Sequence, residues 1–210
     1  EATIMGRPAK LELDEVLLRA TDLFWEKGPD AVTTRDLEEV LDLRAPAIYR
    51  RFRSKEELFA RCVNYYVDNV TVGRVRGTFD HADDPMRALH QFFLSALEPL
   101  GRELRLRGCL LANTATHADG QNPEIQAAMV RGWNLIDTAF RQQIERAQQA
   151  GQLDAGLDPE AVSQSLLMSL QGLLTLVRAG FTELRPGIDA TFALLRGAPK
   201  PSTDHERPAS

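Results

Sequence analysis

The sequence predicts an all-α fold, in which a small N-terminal domain of three helices precedes a larger helical body, with about nine helices in total. Apolar residues recur every three or four positions along most of the chain, which is the spacing of amphipathic helices. No segment alternates apolar and polar residues between turn signals, as a half-buried strand would. Helix-start signals such as Asp84-Pro85 and Asp158-Pro159 precede the periodic segments.

The N-terminal domain, residues 6–53, is predicted to contain three helices in a helix-turn-helix arrangement. The first helix spans residues 13–28 and ends at a glycine, which is the preferred C-cap. Thr33 and Asp36 form a capping-box pattern that opens a second, short helix. Residues 45–51 form the third helix, with a proline in the first turn, where proline is tolerated.

The helical body, residues 54–197, begins with a second capping-box pattern formed by Ser54 and Glu57. An Asp or Asn followed by proline marks the start of three later helices. The first predicted helix of the body starts at residue 54, has apolar positions as far as Val70 and precedes a loop at residues 78–84. The later predicted helices span residues 84–98, 107–118, 122–150, 158–180 and 186–196. The tail, residues 198–210, holds three prolines and is predicted to be disordered.

The charge distribution points to one polyanionic partner. The chain has a formal net charge of −5, yet residues 44–55 hold five basic side chains and no acidic one. A basic spot on an otherwise acidic surface is typical of a protein that contacts a polyanion in one place. The alternative is a solvated charged stretch, which is what most charge runs are.

Composition excludes several protein classes. No apolar run reaches the length of a membrane span, and the first ten residues lack the apolar core of a signal peptide. The two cysteines, Cys62 and Cys109, are too few for a disulfide framework or a structural zinc site. We therefore expect a cytoplasmic protein with no membrane partner.

Residues 45–51 have the features of a DNA recognition helix. Ile48 and Phe52 lie four positions apart and can bury one face, which is predicted to leave the other face outward, namely Arg44, Ala47, Arg50 and Arg51. A short helix with small residues at its start can enter the major groove, where arginine can bind guanine through two hydrogen bonds. The pattern therefore favours DNA as the polyanion.

Several motifs stand at a characteristic spacing in this region: Gly6-Arg7-Pro8, Gly28, Thr33-Thr34-Arg35-Asp36-Leu37, Ile48-Tyr49-Arg50-Arg51-Phe52 and Ser54-Lys55-Glu56-Glu57-Leu58-Phe59. Together they resemble the TetR/AcrR family of transcriptional regulators, and the resemblance covers about residues 6–66. Residues 107–114 more loosely resemble one C-terminal subgroup of that family. The resemblance implies a bacterial repressor, a homodimer that binds a two-fold operator on double-stranded DNA and is released by a small amphipathic organic effector.

The resemblance and the outward face of the third helix together predict the DNA-binding residues. They are Thr33, Thr34, Arg35, Arg44, Ala45, Pro46, Ala47, Tyr49, Arg50, Arg51 and Lys55. The chain departs from the family at the turn, where Glu38, Leu41 and Asp42 replace the usual Ala, Ala and Gly. Arg44 also replaces the usual serine at the start of the recognition helix, so the family's operator sequence is not carried over.

The helix predicted at residues 158–180 is apolar on most of its circumference, so it must be buried on two sides. The resemblance implies that the second side is another subunit, packed through the last two helices. The predicted interface residues are Leu166, Leu170, Leu173, Leu174, Val177, Phe192 and Leu195. A helix buried only within its own chain is the alternative.

The resemblance also implies an effector cavity inside the body. Aromatic and methionine side chains with a few polar groups suit an amphipathic organic ligand. The predicted lining residues are Phe92, Phe93, Leu110, Asn113, His117, Met129, Trp133, Phe140, Met168 and Gln171. The alternative is that the aromatic and methionine positions are plain core, as such positions in helices usually are.

No motif for catalysis, a metal or a cofactor is present in the sequence, so we expect neither an enzyme nor a bound cofactor. Two alternatives to a ligand-responsive regulator remain open. One is a helical enzyme or scaffold without specific DNA binding. The other is a regulator switched by the thiol of Cys109, which follows Arg105 and Arg107 closely in the sequence.

Overall fold

The computed structural model describes residues 12–98, 107–116, 122–181 and 183–197. Within these ranges the regular structure is helical throughout, which confirms the predicted all-α class. The motif Gly6-Arg7-Pro8 and the tail after residue 197 lie outside the described residues. None of the described helices combines the length and apolarity that a bilayer span requires.

The N-terminal domain consists of α1 (Leu13–Lys27), α2 (Thr34–Leu41) and α3 (Ala45–Arg51), as predicted. Thr33 caps α2 with a complete capping box, in which the side chains of Thr33 and Asp36 each accept a backbone hydrogen bond from the other residue. The aromatic rings of Phe24 in α1 and Phe59 in the following helix lie 4.9 Å apart, centroid to centroid. This contact ties the domain to the body that follows.

A single helical rod leads from the N-terminal domain into the body. It begins as α4 (Lys55–Tyr66), continues through one π-helical stretch (Val67–Thr71) and ends as α5 (Val72–Phe79). The sequence indicated helical apolar positions as far as Val70 and a loop from Thr78 to Asp84, with a change of composition beyond Gly77. The helix continues because Phe79 at its far end is buried among the aromatic rings of the body.

The remaining helices are α6 (Pro85–Leu94), α7 (Leu110–Ala115), α8 (Pro123–Gln149), α9 (Pro159–Arg178) and α10 (Arg185–Arg196). A short 3₁₀ segment, Ser95–Leu97, follows α6. Asp84, Asn122 and Asp158 each accept a hydrogen bond from a backbone N–H in the first turn of α6, α8 and α9. Counting the rod as one, the described residues form nine helices, as predicted.

Gly132 lets α8 approach its neighbours closely. A Cβ atom at this position would lie 2.6 Å from Leu111 Cδ1 and 3.0 Å from Val67 Cγ2. Both distances are shorter than an ordinary carbon contact, so a larger residue would require the side chains of Leu111 and Val67 to shift. Because of this close approach, α7 lies against the rod that carries the DNA-binding domain. The segment that precedes α7 begins at Arg107.

Candidate nucleic-acid interface

The outward face of α3 is the exposed surface that the sequence predicted. Ile48 and Phe52 are buried against the rest of the domain, whereas Arg44, Pro46 and Arg50 are exposed. Arg35, at the start of α2, is also exposed. Two helix starts therefore present guanidinium groups toward solvent on a scaffold fixed by the buried face.

Glu38 performs the capping role at the start of α3. Its Oε1 atom accepts a hydrogen bond of 2.7 Å from the backbone N–H of Ala45, while the N-cap residue Arg44 makes no side-chain cap. Asp42 adopts the left-handed conformation with φ of 50°, the conformation that the family's glycine would supply. The carboxylate of Glu38 thus replaces the usual capping serine. This role could not be predicted from the sequence, because the capping side chain comes from the preceding helix.

Two of the predicted DNA contacts are engaged within the domain. Thr33 Oγ1 donates to Asp36 Oδ2 at 2.7 Å, as part of the capping box. Lys55 Nζ donates to the carbonyl oxygens of Pro29 and Val32 at 2.9 and 3.1 Å. The Lys55 ammonium therefore holds the loop between α1 and α2, and its contact with a phosphate stays a prediction.

The other predicted DNA contacts differ in their exposure to solvent. Thr34 is exposed, and its hydroxyl lies 3.0 Å from the hydroxyl of Tyr49. Ala45, Ala47, Tyr49 and Arg51 are half-buried. The hydrogen bond between Thr34 and Tyr49 joins the N-terminal turn of α2 to α3, so these two elements present one continuous surface.

Lys27 and Asp36 stabilise the base of this surface. Lys27 Nζ lies 2.6 Å from Asp36 Oδ1, which joins the last turn of α1 to the first turn of α2. This hydrogen bond and those from Thr33 hold the pKa of Asp36 well below its usual range. Asp36 is therefore an ionised anchor of α2 at neutral pH.

The DNA-binding domain and the body are joined by a cluster around Trp25. The Arg107 guanidinium lies 5.8 Å from the centroid of the Trp25 ring, and its Nη1 atom lies 3.0 Å from Asp22 Oδ1. The Trp25 ring meets the ring of Tyr66 edge-on at 5.0 Å. A residue that precedes α7 and a residue at the end of α4 thus both contact α1.

The predicted effector-pocket residues separate into two groups. Phe92, Phe93 and Phe140 are buried against one another, with centroid distances of 5.3 Å between Phe92 and Phe140 and 5.9 Å between Phe93 and Phe140. These three rings pack against one another in the core, and their role in lining an effector cavity stays a prediction. Met168 is 69% exposed and faces away from the body, and His117 lies outside the described residues.

The second group contains buried polar atoms that lack partners. Trp133 Nε1 and both amide atoms of Gln171 are buried, and no described residue hydrogen-bonds them. Leu110 and Met129 are buried, and Asn113 Nδ2 donates to the carbonyl oxygen of Arg107. Among the described residues, an open groove of about 1020 Å³ is lined by Ala115, Pro123, Gln126, Ala127, Met129, Val130, Arg131, Trp133 and Asn134.

The predicted dimer residues face the interior of their own protomer. Leu166, Leu170, Leu173, Leu174, Val177 and Phe192 are all buried in the single chain, and Leu195 is half-buried. The exposed apolar side chains on α9 and α10 are Met168, Leu176 and Leu194, at 69%, 45% and 74% exposure. The apolar residues of α9 thus form two faces. The leucine-rich face packs in the core, and the face with Met168 and Leu176 is exposed.

Cys109 is buried, which raises the pKa of its thiol. Its sulfur lies 3.9 Å from the hydroxyl of Tyr66. A protonated, inaccessible thiol reacts slowly with oxidants. This environment disfavours the alternative in which Cys109 acts as a switch.

Two family models match the chain. The model described as bacterial regulatory proteins, tetR family, matches residues 16–62. The model described as tetracyclin repressor-like, C-terminal domain, matches residues 83–185. The two matches fall on the helix-turn-helix and on the helical body, respectively.

Individual relatives match over most of their length. The HTH-type transcriptional repressor ComR of Escherichia coli (strain K12) is 24% identical over 175 residues, which are 83% of this chain and 83% of ComR. The HTH-type transcriptional regulator YezE of Bacillus subtilis (strain 168) is 24% identical over 197 residues, 91% of this chain and 100% of YezE.

A solved structure shares the fold. The TetR family transcriptional regulator CifR, as a cysteine mutant complexed with 26-base-pair operator DNA, superposes with a TM-score of 0.73 at 24% identity. The superposition covers 91% of this chain and 99% of CifR. The helix-turn-helix and the body therefore have the same arrangement of helices in both proteins.

Proposed function

Because the chain belongs to the TetR family of bacterial regulatory proteins, we propose that it is a transcriptional repressor whose homodimer binds a two-fold operator and is released by a small organic effector. The observation that carries the proposal is the exposed face of α3, which presents Arg44 and Arg50 on a helix fixed by buried Ile48 and Phe52. Arginines placed this way can contact guanine edges and phosphates in the major groove.

The dimer is proposed to form through the exposed face of α9 and α10. Met168, Leu176 and Leu194 are large apolar side chains in contact with solvent on consecutive helices of one protomer. A concentrated exposed apolar surface marks an interaction site in a soluble protein. Exposed small residues share α9 and allow a second helix to approach closely, namely Ala161, Ser165, Ser169 and Gly172.

A dimer explains how an effector can control DNA binding. Two recognition helices related by a two-fold axis must reach half-sites about one turn, roughly 34–36 Å, apart. An effector that favours a different separation lowers the DNA affinity, and DNA then lowers the effector affinity by the same factor. The effector is proposed to satisfy the buried polar atoms of Trp133 and Gln171, which a dry core would leave without partners.

Selection of bound sequences from random double-stranded DNA tests the proposal. We expect a two-fold consensus site and an affinity that falls steeply as salt rises. Arg50→Ala is expected to weaken binding to that site by about tenfold, because one arginine contact with guanine is worth about 1–3 kcal/mol. Arg87→Ala is the matched control, since Arg87 is an exposed arginine on α6 in the body.

The same experiment separates the rival function. A helical enzyme or scaffold would give weak binding without a consensus, and Arg50→Ala would then behave like Arg87→Ala. Members of this family are transcriptional regulators, and the described residues contain no cluster of side chains that could hold a metal ion. Regulation of transcription is therefore the function that we propose for the chain.

A further inference from the structure

Arg74 is a half-buried cation with a single side-chain partner. It lies in α5, and its Nε and Nη2 atoms both donate to Ser95 Oγ, at 3.1 and 2.9 Å. That hydroxyl in turn donates to the carbonyl oxygen of Phe92 at 2.7 Å. One neutral oxygen therefore accepts from two donors of a guanidinium that has five.

Among the described residues no carboxylate pairs directly with this guanidinium, and Glu98 interacts with it only electrostatically at longer range. Elsewhere in the chain Arg107 pairs with Asp22 at 3.0 Å, and Arg131 pairs with Asp68 at 2.6 Å. For Arg74, no described residue brings a carboxylate oxygen within ion-pair distance, and burial lowers the pKa of its side chain. A desolvated charge without a counter-ion is unfavourable, so a partly buried arginine of this kind is an acceptor site for an anion.

The surroundings of Arg74 suit a carboxylate attached to an apolar group. The nearby Ser95 and Tyr66 hydroxyls are neutral: the Ser95 hydroxyl already donates to the Phe92 carbonyl oxygen, and burial holds the Tyr66 pKa well above its ordinary value, so Tyr66 stays protonated. The guanidinium carbon lies 5.4 Å from the centroid of the Phe92 ring. A cation beside an aromatic wall provides both parts of such a recognition site.

Resting on the effector-responsive function proposed above, we propose that Arg74 is the anion-binding group of the effector site and that the effector is a small organic carboxylate with an apolar tail. The carboxylate accepts hydrogen bonds from the guanidinium N–H groups that Ser95 leaves without an acceptor. Tyr66 then connects the site to the DNA-binding domain, since its ring contacts Trp25 in α1 at 5.0 Å.

Calorimetric titration of the full-length dimer with matched pairs of compounds tests the inference. The pairs are benzoate and benzamide, phenylacetate and phenylacetamide, hexanoate and hexanamide, and decanoate and decanamide. We expect at least one carboxylate to bind at least about tenfold more tightly than its amide, because a charge-assisted hydrogen bond is worth about 1.5–3 kcal/mol. The same carboxylate is expected to release the protein from its selected operator.

The substitution Arg74→Gln removes the positive charge and keeps a hydrogen-bond donor. Arg76→Gln is the control, since Arg76 is an exposed arginine in the same helix. We expect Arg74→Gln to lose the preference for carboxylate over amide while its operator affinity without effector stays unchanged. Arg76→Gln is expected to keep both properties. The comparison of carboxylate with amide on the unmodified protein needs no variant and so does not depend on the folding of Arg74→Gln.

Two results overturn the inference: no carboxylate of the series binds more tightly than its amide, or Arg74→Gln keeps the preference. If either occurs in protein that binds its operator, this inference fails and the proposed function stands. If the unmodified protein prefers carboxylates through Arg74 but selects no DNA sequence, the proposed function fails and Arg74 remains an anion site.

Discussion

Arg178, at the C-terminal end of α9, contacts the backbone of Trp25 in α1. Its Nη1 atom lies 3.4 Å from the Trp25 carbonyl oxygen and 3.1 Å from the carbonyl oxygen of Arg107. The helix that carries the proposed dimer face therefore also contacts the first helix of the DNA-binding domain. This side chain and the Arg107 guanidinium, which lies over the Trp25 ring, therefore provide a physical connection between α9 and α1 that can be tested by substitution.

Replacing Arg178 by alanine tests this connection. We expect Arg178→Ala to weaken binding to the selected operator by about 0.5–2 kcal/mol, the range known for residues that couple distant sites. The reason is that α1 loses one of its contacts with the body, so the orientation of α3 is less well fixed. Fluorescence anisotropy of labelled operator measures the affinity. Arg196→Ala, in the last turn of α10, is the control, and equal losses in both variants would contradict the prediction.

Glu38 gives a prediction about the recognition helix itself. We expect Glu38→Ala to lower the free energy of unfolding by about 1 kcal/mol, because loss of an N-cap acceptor typically has this effect. DNA affinity should fall as well, since the first turn of α3 carries Arg44 and Ala45. Urea denaturation and operator binding measure the two effects.

The matched control for Glu38 is Glu39→Ala, on the exposed face of the same helix. Glu38→Gln keeps an acceptor oxygen and is expected to retain most of the stability. A Glu38→Ala protein as stable as Glu39→Ala would show that the hydrogen bond to Ala45 does not contribute.

The helix boundaries could be predicted because their signals are local. Thr33 with Asp36 and the three acid- or amide-proline pairs lie within a few residues of the helices that they start. The roles of Glu38 and Lys55 could not be predicted, because their partners Ala45 and Pro29 lie 7 and 26 residues away. Sequence spacing does not encode such contacts across a turn.

The face of α9 that is exposed was also beyond prediction. Apolar residues surround most of this helix, so periodicity indicates two buried sides without telling which one packs on the body. The structure places Leu166, Leu170 and Leu173 inward and Met168 outward. The spacing of the aromatic residues was ambiguous in a similar way, because it does not distinguish residues that line a cavity from residues packed in the core. In the structure, Phe92, Phe93 and Phe140 pack against one another.

The outward face of α9 and α10 predicts the determinants of dimerisation. We expect Met168→Glu combined with Leu194→Glu to shift the protein toward the monomer, because the interface would have to bury unpaired carboxylates. Sedimentation velocity measures the state, and operator affinity is expected to fall with it. Val130→Glu is the control, since Val130 is 51% exposed on α8. A dimer that survives the double substitution would place the interface elsewhere.

The ion pair of Lys27 with Asp36 predicts a pH dependence of stability. Hydrogen bonds from Lys27 and Thr33 lower the pKa of Asp36 in the folded state below its ordinary value of 3.8. Unfolded protein therefore binds the proton more tightly, so the stabilisation is present above about that value and is lost as the pH falls below it. Asp36→Asn is expected to unfold with a weaker dependence on pH in this range. Urea titrations from neutral to acid pH measure the difference, with Glu39→Gln as the control.

Lys55 provides the sharpest test of which basic residues contact DNA. Its ammonium holds the carbonyl oxygens of Pro29 and Val32, so Lys55→Met is expected to lower the stability of the N-terminal domain. The slope of log affinity against log salt should stay unchanged, because no phosphate contact of that side chain is lost. Arg44→Ala is expected to do the opposite: it leaves the stability nearly unchanged and reduces the slope by about one if Arg44 neutralises one phosphate. If Lys55→Met reduced the slope by the same amount, its ammonium would have to leave the loop and reach the DNA when the complex forms.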